Sequence, residues 1–127
     1  MVAGIANLVT ALLHTIGGQF DLVNPMLQAN LTNQAKAEWL GAWHMITIIL
    51  FLSSYAILVN ARKGFECKQI EFMRFIGATY ILFAIPFGIS SIAYQVLAPQ
   101  WILLFPIGVL VIGGANQAQK KLQMAAQ

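Results

Sequence analysis

The stretch that decides the fold runs from residue 75 to residue 119 and reads FIGATYILFAIPFGISSIAYQVLAPQWILLFPIGVLVIGGANQAQ. It holds no Asp, Glu, Lys or Arg. A helix needs about 20 apolar residues to cross a bilayer, so this stretch is long enough for two crossings. Pro99 disfavours helical geometry at Ala98 and suits the first turn of a new helix, so the break is expected there. The stretch therefore predicts an antiparallel hairpin of two membrane-spanning helices.

The whole chain has the composition of a membrane protein. Of its 127 residues, 59% are hydrophobic and 9% are charged, whereas roughly a quarter of the residues in a soluble domain are charged. This composition excludes a soluble enzyme, a disordered chain and a nucleic-acid-binding module. The single cysteine, Cys67, excludes a scaffold of intrachain disulfides.

Two further charge-free stretches, residues 2–20 and 39–61, are each long enough to cross a membrane once. The chain is therefore predicted to be an all-α integral membrane protein. We expect a four-helix bundle with up-down-up-down connectivity, forming a single transmembrane domain over residues 1–127. The predicted spans cover approximately residues 3–18, 37–61, 70–95 and 100–119.

The positions of Lys and Arg predict the orientation of these spans. Every basic residue except Lys36 lies within residues 62–74 or after the fourth span. The positive-inside rule then places both termini and residues 62–74 in the cytoplasm. Residues 19–36 and 96–100 face the outside, and we expect the protein in the inner membrane of a bacterium.

Glycine and proline predict local features of the spans. Gly17-Gly18 is interpreted as the stop of the first helix, and residues 19–36 as a polar connection that can contain a short helix. Pro86 and Pro106 are predicted to bend the third and fourth spans. Five glycines are predicted to permit close approach of helices: Gly77, Gly88, Gly108, Gly113 and Gly114.

Two histidines, His14 and His44, are the most informative polar residues, because ionisable groups are costly and rare inside a membrane. Both are expected on the order of 6–9 Å below the outer end of their spans. Since the two spans are antiparallel, the histidines reach the same level. On the first span Asn7, Thr10 and Gly17 are predicted to share a face with His14. The candidate pocket in the outer half consists of His14, His44, Thr10, Thr47, Trp43 and Tyr94, with Phe51, Ser54, Tyr55, Ser90, Trp39 and Trp101 nearby.

Three roles for this pocket remain open. The histidines can bond to each other, to Thr10 or Thr47, or to a backbone carbonyl, and so hold helices together. They can be the two axial ligands of a haem b between the helices. They can also bind a metal ion or small ligand from outside, with Gln19, Asp21 or Glu38 as further ligands.

The sequence contains no Ser-His-acid set in register, no HExxH and no glycine-rich phosphate loop. Because the predicted helix faces are small and glycine-rich and no extramembrane domain is predicted, we expect a non-enzymatic accessory or assembly subunit that forms a homo-oligomer or joins a larger membrane complex. One alternative is a bis-histidine haem b electron-transfer protein. The other is a sensor or transporter of a metal or small ligand, acting as an oligomer.

Three segments of the first half carry a resemblance: His14-Thr15-Ile16-Gly17-Gly18-Gln19, Asn24-Pro25-Met26-Leu27 and the pair Trp43-His44. Together they resemble small bacterial four-span membrane proteins of unknown function. Those proteins have a histidine before a Gly-Glu pair on helix one and a Trp-His pair opening helix two. Gln19 stands where the family usually has glutamate. The resemblance implies that the two histidines belong to one shared motif.

Overall fold

The structure, a computed structural model, describes residues 1–63 and 67–126. Within these ranges the chain is helical and contains no strand, which confirms the all-α prediction. The elements are α1 (Val2–Gly18), a π-helical turn (Gln19–Val23), α2 (Asn24–Gln28), α3 (Asn33–Lys63), α4 (Cys67–Ala93) and α5 (Gln100–Ala125).

Among the described residues, three helices are long and apolar enough to cross a membrane: Asn33–Lys63, Lys68–Ala93 and Gln100–Ala125. They coincide with the second, third and fourth predicted spans. Helix α3 begins before its apolar stretch because Thr32 caps it, its Oγ1 accepting a hydrogen bond from the Ala35 N–H at 3.2 Å. Polar residues at the ends of the apolar stretches thus lie within helices that the apolar pattern alone would have ended.

The first helical segment continues beyond its predicted end. Helix α1 has 17 residues, but the helical path runs without a break from Val2 through the π turn to Gln28. The α-helix itself ends at Gly18, as predicted, but Gly18 keeps right-handed helical geometry, with φ of −64°, and the π turn follows it directly. The expected short helix in residues 19–36 is present as α2.

The π turn follows from the sequence around Pro25. This proline has no N–H to donate to the carbonyl of Asp21, so the regular bonding pattern cannot continue through the segment. Instead the Asn24 N–H bonds to the Gln19 carbonyl five residues earlier. The side chains of the same pair also meet, with Gln19 Nε2 donating to Asn24 Oδ1 at 2.9 Å. The wide turn is therefore held by two bonds between the same residues.

The chain divides into two compact units. The N-terminal unit is Gly4–Ala56, and the C-terminal unit consists of Met1–Ala3 with Ile57–Gln127. In the C-terminal unit α4 and α5 run antiparallel, as predicted for the hairpin: Arg74 near the start of α4 bonds to Asn116 near the end of α5. Pro86 and Pro106 both lie inside these helices.

Helices α4 and α5 are in backbone contact where Gly77 faces Gly108. A Cβ added to Gly77 would lie 2.8 Å from the Gly108 carbonyl oxygen, and one added to Gly108 would lie 2.6 Å from the Gly77 oxygen. This confirms the predicted role of these two glycines. The same prediction is wrong for Gly88, Gly113 and Gly114, where an added Cβ meets no described atom within 4 Å.

Arg74 joins α4 to α5 at the end of the hairpin that carries the basic residues. Its Nη2 donates to Asn116 Oδ1 at 2.7 Å and to Gln119 Oε1 at 2.5 Å. Its Nη1 forms an ion pair with Glu71 at 2.6 Å. The planar guanidinium provides several donors in one plane, which suits it to bridging two amide oxygens and a carboxylate. Arg74, one of the basic residues that predict the orientation, therefore also links α4 to α5.

The turn between α4 and α5 is closed by residues that follow α4. Gln95 adopts left-handed geometry with φ of 53°. The Val96 N–H bonds to the Ser91 carbonyl and the Gln95 N–H to the Ile92 carbonyl, which is the Schellman pattern. Ser91 Oγ also accepts a hydrogen bond from the Ala98 N–H at 3.0 Å.

Gln95→Gly is expected to stabilise the protein by about 1 kcal/mol, because glycine adopts the left-handed conformation without the strain that a Cβ imposes. Gln95→Ala is the matched control: it keeps the strain and loses the bond from Gln95 Nε2 to the Ile92 carbonyl. Thermal unfolding of both variants in detergent micelles measures the effect. A loss of stability in Gln95→Gly equal to that in Gln95→Ala would contradict the prediction.

Candidate functional site

The N-terminal unit contains a stack of three aromatic rings, which we call the His–Trp stack (His14, Trp43 and Trp39). The ring centroids of His14 and Trp43 lie 3.9 Å apart with an interplanar angle of 15°. Trp39 lies on the same helix as Trp43, and their centroids are 5.3 Å apart at 11°. Residues four apart share a helix face, which explains why the two indoles stack. The third ring, His14, comes from α1, so the stack joins α1 to α3.

Gly18 makes room for the stack. A Cβ added at Gly18 would lie 2.5 Å from Cη2 of Trp43, closer than van der Waals contact allows. At Gly17 an added Cβ meets no described atom within 4 Å. The indole of Trp43 therefore lies between the imidazole of His14 and the backbone of Gly18, two positions one helical turn apart.

A second link between α1 and α3 is polar and fully buried. Asn7 has no exposed surface, and its Nδ2 donates to Ser53 Oγ at 3.0 Å and to the Leu50 carbonyl at 3.3 Å. Asn7 precedes His14 on α1, whereas Ser53 follows Trp43 on α3, so the two helix segments are antiparallel. This agrees with the predicted antiparallel arrangement of the first two spans.

Asn7→Ala is expected to cost about 1–2 kcal/mol of folding stability, since it removes two hydrogen bonds between helices and leaves a small cavity. The expected loss of stability is moderate because Asn7 also carries a buried oxygen, Oδ1, that has no hydrogen-bond partner among the described residues. Alanine removes this unsatisfied oxygen together with the two hydrogen bonds. Thr15→Ala is the control, since the Thr15 hydroxyl bonds to the Ala11 carbonyl of its own helix. Reversible unfolding in mixed micelles measures both variants. Equal losses in the two would show that Asn7 does not link the helices.

The two threonines of the predicted pocket satisfy their hydroxyls locally. Thr10 Oγ1 donates to the Ala6 carbonyl at 3.0 Å, and Thr47 Oγ1 donates to the Trp43 carbonyl at 3.1 Å. Such bonds within a helix are a common way to accommodate a hydroxyl in apolar surroundings. The hydroxyls of Thr10 and Thr47 are therefore bonded within their own helices and do not link α1 to α3.

The remaining predicted pocket residues lie in different environments. His44 is exposed, and Trp43, its neighbour, is the residue that contacts the imidazole of His14. Tyr94 belongs to the C-terminal unit and is 76% exposed. Ser90 and Trp101 also belong to that unit. The structure thus stacks the rings of His14 and Trp43 from the candidate set, together with Trp39, which the sequence placed near the pocket.

The face of α3 within the N-terminal unit agrees only in part with the predicted one. The sequence predicted His44, Thr47, Phe51, Ser54 and Tyr55 on this face; Thr47 is half-buried and Ser54 is buried, but His44, Phe51 and Tyr55 are exposed. In their place Trp43 is half-buried, and Leu50 and Ser53 are buried. On α1 the sequence predicted Gly17 on the pocket face, but Gly18 is the glycine that lies against Trp43. Extending the helical period from Trp43 instead of from His44 would have included Leu50 and Ser53.

His14 presents one unsatisfied polar atom. Its Nε2 is buried and has no hydrogen-bond partner among the residues that the structure describes. A neutral imidazole nitrogen can accept or donate one hydrogen bond or coordinate a metal. In the described ranges no group of three or more His, Cys, Asp or Glu side chains could hold a metal ion. Trp43 covers one face of the His14 ring, and the burial of Nε2 leaves little space for a haem iron on this atom.

Comparisons with protein-family models, with curated proteins and with solved structures found no match to this chain.

Proposed function

We propose that this chain is an integral membrane protein that acts as a non-enzymatic accessory or assembly subunit. In this proposal it crosses a bacterial inner membrane four times, with both termini in the cytoplasm. One observation carries the proposal: only 22%, 22% and 28% of the most apolar windows of α3, α4 and α5 are buried within the chain. The rest of each window needs lipid or other helices to cover it.

The exposed apolar surface is too extensive for water. On α3 alone Met45, Ile48, Leu52 and Tyr55 are each more than half exposed. Burial of one such side chain contributes about 1.5–3 kcal/mol, so leaving whole helix faces in water would outweigh the stability of a small domain. A bilayer removes this cost, and it also leaves the faces free to contact helices of a partner.

The proposed role as a subunit follows from the location of the surfaces that a partner protein could contact. The described connections between helices are short, namely residues 29–32 and 94–99. Most of the exposed large apolar side chains lie on the long helices instead. A partner, or a second copy of the chain, would therefore bind through the exposed helix faces within the membrane.

Photo-crosslinking in native membranes tests this role. A leucine-sized diazirine amino acid is placed at Leu52, which is 63% exposed, or at Leu50, which is 4% exposed. The proposal expects a discrete protein adduct of higher mass from position 52 and none from position 50. If position 52 and an exposed position on α4, such as Leu82, give only lipid adducts, the subunit role is ruled out.

The unsatisfied Nε2 of His14 favours a second candidate function, the binding of a small ligand at the His–Trp stack. The largest ligand considered for this site is a haem b held by His14 and His44. It predicts a Soret band in the purified protein, lost in both His14→Ala and His44→Ala. A preparation that stays colourless after haemin is added removes the haem form. Quenching of tryptophan fluorescence by other ligands then tests the general form.

A further inference from the structure

An apolar cavity of about 150 Å³ lies in the C-terminal unit. Its lining comes from the first three residues of the chain and from α3, α4 and α5, and it includes Met1, Ala3, Ile57, Met73, Val111 and Gly114. Gly114 is exposed, and a Cβ added to it meets no described atom within 4 Å. The cavity therefore opens at the side of the unit beside α5.

Basic side chains surround the same end of the unit. Arg62 follows directly after Ala61 of the lining, and Lys120 lies five residues beyond Ala115, or about 7.5 Å along the helix. The exposed basic residues of this end are Arg62, Lys63, Lys68, Lys120 and Lys121. Of its two acidic residues, Glu71 pairs with Arg74, and Glu66 lies outside the described residues. The mouth of the cavity is therefore next to a positive rim.

We propose that this cavity binds part of one acyl chain of an anionic phospholipid from the cytoplasmic leaflet, with the phosphate held by the basic rim. The apolar lining matches the chain, and the charge matches the headgroup. The inference rests on the proposed membrane insertion. Only if the chain is inserted in a bilayer does the cavity lie at the depth of the lipid acyl chains and the basic rim at the depth of the headgroups.

The charge of the rim argues against a second copy of this chain as the occupant. In a two-fold symmetric contact each surface patch meets itself or its immediate surroundings. Two copies joined at this cavity would bring two basic rims together at the same membrane level. Juxtaposed like charges oppose association, whereas an anionic lipid neutralises them.

Native mass spectrometry of the full chain in detergent tests the inference, with phosphatidylglycerol and phosphatidylcholine of identical acyl chains as probes. We expect one phosphatidylglycerol per chain, bound at least about fivefold more tightly than phosphatidylcholine, and about fivefold weaker binding in Arg62→Gln. Gly114→Leu fills the cavity and should abolish the preference. Gly113→Leu is the matched control, because Gly113 is equally open but does not line the cavity.

Several outcomes would overturn the inference. They are equal affinity for the two lipids, equal effects of Gly113→Leu and Gly114→Leu, or a change of oligomeric mass in Gly114→Leu with lipid binding intact. Circular dichroism checks that both leucine variants keep their helices. Membrane fractionation separates this inference from the proposed function. A protein found in the membrane without a lipid preference contradicts only the lipid site, whereas a protein outside the membrane contradicts both.

Discussion

Gly108→Ala is expected to destabilise the C-terminal unit by about 3 kcal/mol, at the upper end of what overpacking usually costs. The new Cβ would lie 2.6 Å from the Gly77 carbonyl oxygen and 2.8 Å from Cγ1 of Ile81. The oxygen belongs to the backbone, so relief requires α4 and α5 to move apart. Gly77→Ala should have a similar effect, because the contact is reciprocal. The double variant should cost less than the sum, since the first change already separates the helices.

Gly88→Ala is the control for this prediction. It lies on α4, as Gly77 does, but an added Cβ meets no described atom within 4 Å. Alanine there should be neutral or should stabilise the helix by up to about 1 kcal/mol. Unfolding by sodium dodecyl sulfate, followed by circular dichroism, measures all of these variants. Similar stabilities for Gly88→Ala and Gly108→Ala would mean that the helices do not cross at Gly77.

Gly18→Ala is the second substitution with a large expected effect, about 2 kcal/mol of stability together with loss of the His–Trp stack. The Cβ would lie 2.5 Å from Cη2 of Trp43. The rigid indole cannot bend away from it and still stack on His14 at 3.9 Å. Near-ultraviolet circular dichroism, which detects coupled aromatic rings, should lose intensity.

Gly17→Ala provides the comparison for Gly18, because it makes the same chemical change one residue away, where no described atom lies within 4 Å of the added Cβ. It should leave the near-ultraviolet spectrum unchanged. If both variants keep the spectrum of the unsubstituted protein, Trp43 does not lie against Gly18. If both lose it, the loss reflects the helix backbone and not the position of the indole.

The sequence predicts the long helices well because the bilayer imposes one strong rule, that charges stay outside the apolar layer. The charge-free residues 75–119 and the break near Pro99 correspond to the α4–α5 hairpin. The ends of the helices are predicted less well. Helix α3 begins at Asn33 because Thr32 caps it, and α5 continues past Lys120, and hydropathy detects neither effect. The π turn depends on Pro25 within an otherwise helical path, and the composition of residues 19–36 does not reveal it.

The candidate site is predicted less completely, because it depends on the rotation of each helix about its axis. Trp43, one residue or about 100° from His44 around α3, is the residue whose ring stacks on His14. The glycines show the same limit. The sequence alone does not distinguish Gly77 from Gly88, but only Gly77 faces the backbone of another helix. The two positions are eleven residues apart and therefore lie at different heights along α4. Which glycine matters depends on where the neighbouring helix crosses, and that is a property of packing.

The central claim, four membrane crossings with both ends inside, is tested most directly by labelling single cysteines in intact spheroplasts with a membrane-impermeant maleimide. In a Cys67→Ser background the probes are Val2→Cys, Gln28→Cys and Gln123→Cys, all at exposed positions. We predict labelling at position 28 alone, and labelling of positions 2 and 123 only after the membrane is permeabilised. Labelling of position 2 in intact spheroplasts would show that the first helix does not cross, and equal labelling of all three would contradict the membrane topology altogether.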